Sequence, residues 1–267
     1  MPVAVSLLSV PLTVSILASG SQGNAAVIAT ERTTLLLDVG LSRRELLRRL
    51  ALCGIPPQRL QAVLITHEHS DHVAGLPRLA AQLSLPIYIN GATRAALGAA
   101  GATLERVEAF AAGGCFQIGD IEVSAFAIPH DAADPVGFRF CAAGVQVVFA
   151  TDLGYLPENV CQQLAHADCA VIESNHDLEM LKNGGYPWEL KQRVLGRLGH
   201  LSNACLAEFL GRGFDGSAAH LVLAHLSENN NLPSLARLSA ERALAARRWR
   251  PQVHVAAQAE PLAPITL

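Results

Sequence analysis

The run Thr66-His67-Glu68-His69-Ser70-Asp71-His72 constrains this chain more than any other feature. Leu60–Thr66 reads as a buried strand, and the histidines begin where it ends. In extended backbone, residues i and i+2 project to the same side, so His67 and His69 can grip one metal ion. A turn after Ser70 would aim Asp71 and His72 at a second position close by. Imidazole with carboxylate suits Zn, Mn, Fe or Ni. The bland alternative is a histidine-rich loop without metal, which four potential ligands at this spacing argue against.

Two metals with open positions need further donors, and other polar residues do end apolar runs. His130 follows Glu122–Ile128, Asp152 follows Val145–Ala150, and His225 follows His220–Ala224. Each position singly fits an ordinary strand end or helix cap. Together with residues 67–72 they read as one constellation at the rim of a sheet.

The rest of the chain reads as strands and helices that would carry such a rim. Leu12–Ala18 and Ala25–Ala29 flank a Gly/Ser turn and predict a hairpin. Thr33–Leu37 predicts a third strand, and Ser42 with Glu45 three positions on predicts the start of a helix to about Leu52. Val73–Gln82 predicts a helix and Pro86–Ile89 a strand, and residues 116–149 are β-rich. Helices are expected near Trp188–Leu198, Asn203–Leu210 and Pro233–Arg248, with strands at Cys169–Glu173, His220–Ala224 and Gln252–Ala256. The expected fold class is α/β: one αββα sandwich over residues 1–267, with residues 1–10 a short extension.

Composition sets limits. The chain has 267 residues, 51% hydrophobic and 16% charged, which fits a globular protein with a sizeable core. A net charge of −3 argues against a strongly basic nucleic-acid binder, although a local patch fits within a near-neutral total. The six cysteines form no C-x-x-C pair and read as buried apolar residues or free thiols. The apolar start lacks a basic segment, since no Lys or Arg precedes Glu31, so a signal peptide is not expected. No segment reaches the length of a membrane span, and a cytoplasmic protein is the default expectation.

The run His67-x-His69-x-Asp71-His72, followed by His130, Asp152 and His225, resembles the metallo-β-lactamase superfamily. The segments Ala18–Asn24, Pro129–Pro135, Glu173–Asp177, Gly199–Asn203 and Ala224–Asn230 are similar to its YycJ/WalJ group, regarded as DNA exonucleases; a relative with similar ligands is the carbon–phosphorus lyase phosphodiesterase. The resemblance implies that His67, His69 and His130 hold one metal and Asp71, His72 and His225 the other, with Asp152 bridging them. It implies two divalent ions, Zn or Mn, that lower the pKa of a bridging water and clamp attacking and leaving oxygens. Asp38 matches the superfamily's first motif, where a carboxylate orients the ligand loop. Asp71 and His200 are the catalytic candidates, His200 as proton donor to the leaving group. Glu173 and His176, at another strand end, are expected behind the ligands, whereas His166, His220 and His254 are expected to be ordinary.

The expected function is therefore a metal-dependent phosphodiesterase or nuclease. The partner is nucleic acid, more readily DNA, or another phosphodiester. The alternatives are a thioester hydrolase of the glyoxalase II type and a non-catalytic metal-binding regulator. A flavodiiron protein would carry Glu at position 69, and the β-lactamases proper lack a bridging carboxylate at position 152. The 72 residues between Asp152 and His225 are too few for the large inserted cap domain of the RNA-processing and DNA-repair branch. Lys182, Lys191, Arg193 and Arg197 with Tyr186 and Trp188, and the arginines 237, 242, 247, 248 and 250, are the possible nucleic-acid contacts. Arg43, Arg44, Arg48 and Arg49 read as surface residues.

Overall fold

The computed structural model describes residues 11–214 and 217–267, so the expected extension at 1–10 lies outside the described residues. In chain order the strands are β1 (Thr13–Ala18), β2 (Ala25–Ala29), β3 (Thr34–Leu37), β4 (Ala62–Leu64), β5 (Ile87–Asn90), β6 (Val107–Phe110), β7 (Cys115–Ile118), β8 (Ile121–Ala127), β9 (Val136–Ala142), β10 (Val145–Ala150), β11 (Cys169–Glu173), β12 (His220–Ala224), β13 (Gln252–Val255) and β14 (Ile265–Thr266). They form two seven-stranded mixed sheets, ordered β14-β1-β2-β3-β4-β5-β6 and β13-β12-β11-β10-β9-β8-β7. In each sheet antiparallel pairing gives way to parallel pairing partway across, at β3–β4 and at β10–β11. Ligand-binding crevices in α/β sheets form outside the carboxyl ends of such parallel strands.

Alternation along the strands builds three apolar layers. Leu35, Leu37 and Leu64 of the first sheet meet Phe138, Phe140, Val147, Val171 and Val222 of the second between the sheets. Their neighbours Leu36, Val63 and Ile65 face outward, under helices Arg43–Leu52 and Leu76–Leu83. Val148, Ile172 and Leu223 face outward on the other side, under helices Glu158–Leu164, Asn203–Arg212 and Pro233–Ala246. The result is the αββα sandwich expected from the sequence. Among the described residues no helix is long and apolar enough to cross a membrane.

Several local expectations need correction. The helix predicted over Val73–Gln82 is two, Ser70–Val73 and Leu76–Leu83. Gly75 divides them: its N–H goes to Val39 O at 2.8 Å, and a Cβ there would lie 2.1 Å from Leu41 O. The helix expected to reach Leu198 stops at Leu195, before Gly196. Arg49 is buried, not a surface residue; it bonds Glu45 and the backbone oxygens of Leu17 and Gln258. The edge strands β6 and β14 were not expected; both are short, and β6 is largely exposed.

Candidate metal centre

Asp38, Asp152 and His225 each stand within two residues of the end of a buried strand, and each has a left-handed backbone, with φ of 57°, 60° and 55°. Residues other than glycine rarely adopt this conformation, and it clusters at functional sites where the surrounding structure enforces it. Here the kink turns each side chain from the strand direction into the crevice between the sheets. The short helix Ser70–Val73 does the same for Asp71 and His72, while His67 and His69 lie in the segment between β4 and that helix.

The sequence candidates converge in two adjoining groups. Donor atoms of His67, His69 and His130 lie within 4.8 Å of one another, as do those of Asp71, His72, Asp152 and His225. His130 Nε2 is 3.2 Å from His69 Nδ1. Asp152 reaches His72 Nε2 with Oδ2 and His225 Nε2 with Oδ1, each at 3.3 Å.

The outer ring nitrogens are already committed. His72 Nδ1 donates to Asp38 Oδ2 at 2.8 Å, His225 Nδ1 to Glu173 Oε1 at 2.9 Å, and His130 Nδ1 to Gly199 O at 3.2 Å. Thr66 Oγ1 gives its proton to Asp38 and stands 3.0 Å from His67 Nδ1, whose proton it can accept. A histidine that donates from Nδ1 presents an unprotonated Nε2, the form that binds metal. His67 Nε2 and Asp152 Oδ2 are buried without any hydrogen-bond partner. Buried polar atoms are rarely left unpaired, and a shared cation would satisfy both. The donor set therefore fits divalent metal ions.

Without an ion, the buried charges of the cluster balance one another. Burial alone would raise the Asp152 carboxyl, but His225 and His72 hold it well below the carboxylate range. Burial opposes charge on His225, yet Asp152, Asp71 and Glu173 lift it to about 10. Burial pushes His67 far down, reinforced by His72. Burial would also raise Glu173, but His200 and His225 bring it to about 2. That carboxylate is wholly buried and accepts from His200 Nδ1 (2.8 Å), His225 Nδ1, and the N–H groups of Leu153 (2.9 Å) and Leu201 (3.1 Å).

Other groups shape the centre without a strong sequence signal. Asn24 Nδ2 lies 3.1 Å from Asp71 Oδ2 and 3.0 Å from His72 Nε2. Asn175 Nδ2 donates to His225 O at 2.8 Å. Gly40 lets three loops meet, since a Cβ there would sit 1.7 Å from Asp71 O and 2.5 Å from Asn24 N. His176 is buried with neither ring nitrogen bonded, and burial pushes it down to about 4. Its backbone, not its ring, ties it in, accepting from Asn203 N at 2.9 Å. His220 and His254 stack on each other in β12 and β13, apart from the centre.

Comparison with known proteins decides the family. Residues 33–226 match the model of the beta-lactamase superfamily domain. The chain belongs to the beta-lactamase superfamily. Within it, the chain is 39% identical over 231 residues to the exodeoxyribonuclease WalJ of Streptococcus pneumoniae, covering 84% of this chain and 85% of that one. It is 37% identical over 232 residues to the exodeoxyribonuclease YycJ of Bacillus anthracis, covering 86% and 88%. The superfamily fold is equally plain in the crystal structure of the metallo-beta-lactamase fold protein YhfI from Bacillus subtilis, with a TM-score of 0.73 at 19% identity over 95% of this chain and 99% of that one.

In this beta-lactamase superfamily member the centre opens into a cavity of about 350 Å³. Asp71, Asp152, His200 and His225 line it together with Tyr186, Leu190, Arg193 and Val194. Of the basic and aromatic residues considered for nucleic acid, Tyr186 and Arg193 reach this cavity. Trp188 is 65% exposed and does not line it. Lys182 pairs with Glu179, Arg197 lies over Tyr155, and Arg237 and Arg247 bind backbone oxygens of Val253 and Phe214. All six cysteines are free thiols.

Proposed function

We propose that this hydrolase is a phosphodiesterase that degrades DNA from an end, using two divalent ions. His67, His69 and His130 would hold one ion, Asp71, His72 and His225 the other, with Asp152 between them. The observation that carries the reading is that the seven side chains gather in two adjoining groups, with His69, Asp71, His130, Asp152 and His225 lining one cavity and the outer nitrogens of His67, His72, His130 and His225 tied down behind it. The two exodeoxyribonuclease relatives, similar over more than four fifths of both chains, supply the choice of substrate. Ions held there would supply positive charge that polarises a phosphoryl oxygen and acidifies water.

The chain's own groups do the remainder. His200 lines the cavity, with Nδ1 fixed on Glu173, which leaves Nε2 to pass a proton to the departing alkoxide. Glu173 fixes the ring plane, and because it also holds His225 it keeps proton donor and metal donors in register. Asp38 and Thr66 hold His72 and His67 in the metal-binding tautomer. The core shared between the sheets supports reading the described chain as one domain.

The test is a side-by-side assay of purified protein with Zn or Mn on end-labelled DNA, bis-p-nitrophenyl phosphate and S-lactoylglutathione. Turnover of the first two and not the third is the expected result. Thioester turnover alone would replace the reading with a glyoxalase II type activity, and no turnover of any substrate with a regulatory role.

A further inference from the structure

We propose that the side-chain amides of Asn203 and Asn231 form a positioning device that sets the proton donor His200 against the metal donor His225. The proposal rests on the phosphodiesterase reading above and names the residues that hold its proton donor in place.

His200 and His225 stand on loops that lead into two helices of the same outer layer. His200 precedes Asn203–Arg212, and His225 precedes Pro233–Ala246. A third segment, residues 173–177, continues from β11 and begins with Glu173. The three segments meet at the two asparagines. Asn203 Nδ2 donates to Asn231 Oδ1 at 2.9 Å, and Asn231 Nδ2 donates back to Asn203 Oδ1 at 3.0 Å. Backbone groups fix which way round the pair lies. Asn231 Nδ2 also donates to the carbonyl oxygens of Ser174 (2.9 Å) and Asn175 (3.0 Å), and Leu232 N donates to Asn231 Oδ1 at 2.9 Å. Ser174 Oγ donates to Asn203 Oδ1 at 2.7 Å. Each amide oxygen thus accepts two hydrogen bonds, its full capacity.

Ser174, Asn203 and Asn231 are all buried. Burying amides is costly, and their hydrogen bonds return little net stability. Apolar side chains could join three loops at least as firmly, but apolar contact has no direction. A fully satisfied polar network does have direction, and it rigidifies one arrangement. What it orients is next to it in the chain. Ser174 follows Glu173, whose Oε1 accepts from both His200 and His225. Asn175 likewise bonds both loops, donating from N to Leu201 O and from Nδ2 to His225 O, each at 2.8 Å. The Asn203–Asn231 pair ties the two loops directly to each other, so the three segments brace one another as a triangle. His225 has a further anchor, since its N–H donates to Ser19 Oγ at 2.7 Å. Loosening the pair should therefore move the His200 loop more than the metal donor. A shift of about 1 Å in a reacting group can cost roughly 10²-fold in rate.

The test is a double-mutant cycle between Asn203 and His200. Wild type, Asn203→Ala, His200→Gln and the double variant are compared on end-labelled DNA and bis-p-nitrophenyl phosphate, with metal content measured on each. Asn203→Ala is expected to keep its metal and to lose roughly 10- to 100-fold in kcat on DNA, with little change in KM. The loss should be smaller on bis-p-nitrophenyl phosphate, whose leaving group needs no proton. In the His200→Gln background the same change should cost about twofold at most, the scatter of independent sites in such cycles. If Asn203→Ala does not fold, Ser174→Ala replaces it. That change removes one bond to Asn203 Oδ1, leaves the asparagines paired, and should give the same pattern at roughly 2- to 10-fold, the worth of one hydrogen bond. A wild-type kcat in the folded variant, an equal loss on both substrates, a full further loss in the His200→Gln background, or loss of metal overturns the positioning role and leaves the phosphodiesterase reading in place. A wild-type rate in His200→Gln overturns it too, by removing the donor to be positioned. Absence of hydrolysis on both substrates by wild type overturns that reading and the positioning role with it.

Discussion

His200 and His225 donate from their Nδ1 atoms to the same oxygen, Glu173 Oε1, at 2.8 and 2.9 Å. A single buried carboxylate therefore orients a candidate metal donor and a candidate proton donor at once. Glu173→Gln replaces one acceptor oxygen by an amide N–H facing the N–H groups or imidazoles that now donate to it. Loss of such a partner behind a metal ligand typically costs 10- to 100-fold in metal affinity or activity. Both metal content and turnover are expected to fall, measured by inductively coupled plasma mass spectrometry and DNA digestion on one preparation. Full metal content with full activity would contradict the shared role.

His200→Gln separates the two functions. His200 lies outside the seven proposed metal donors, so metal content is expected to stay at the wild-type level. The rate should drop by roughly 10²- to 10⁴-fold, the usual worth of general acid catalysis. Because a good leaving group needs no proton, the loss should be smaller on bis-p-nitrophenyl phosphate than on DNA. An equal loss on both substrates would assign His200 a structural role instead.

The positions of these groups show what a sequence reveals of such a site. All seven candidate donors stood out in the sequence, because His67, His69, Asp71 and His72 lie within six residues at the end of one apolar run and His130, Asp152 and His225 come at the ends of others. Strands β2, β10, β11 and β12 match expectation residue for residue, since buried β-branched and aliphatic runs end in polar residues there. Asn24 and Asn175 were hidden for the opposite reason. Their types are common in loops, and their roles arise from contacts 47 to 50 residues away, as Asn24 with Asp71 and Asn175 with His225. Arg49 misled because the other arginines of its helix, 43, 44 and 48, are not buried, while its partners at Leu17 and Gln258 are remote in sequence.

Gly40→Ala tests the loop junction. The added methyl would collide with the Asp71 and Asn24 backbones, neither of which is a flexible side-chain end. Overpacking of this kind costs about 1–3 kcal/mol or more, which for a chain of this size is a fall of roughly 2–4 °C in Tm per kcal/mol. Thermal unfolding should show that drop, with weakened metal retention because Asp71 moves. An unchanged Tm would mean that the loops yield without cost.

Thiol chemistry gives an independent check on the core. Burial pushes the Cys169 thiol up to about 12, so at pH 8 it remains protonated and unreactive. Cys115 and Cys205 are exposed. Iodoacetamide at pH 8 followed by peptide mass spectrometry should label Cys115 and Cys205 in the native protein and Cys169 after denaturation. Rapid native labelling of Cys169 would contradict its place between the sheets.

The central claim is that two ions at this centre support removal of nucleotides from DNA ends. It is tested most directly by stripping the protein with chelator and titrating Mn or Zn back while following release of mononucleotides from end-labelled DNA. The account predicts no release without metal, a rise with added ion, and saturation at two equivalents per chain. Release that survives complete removal of metal, or no release at any metal load, would contradict it.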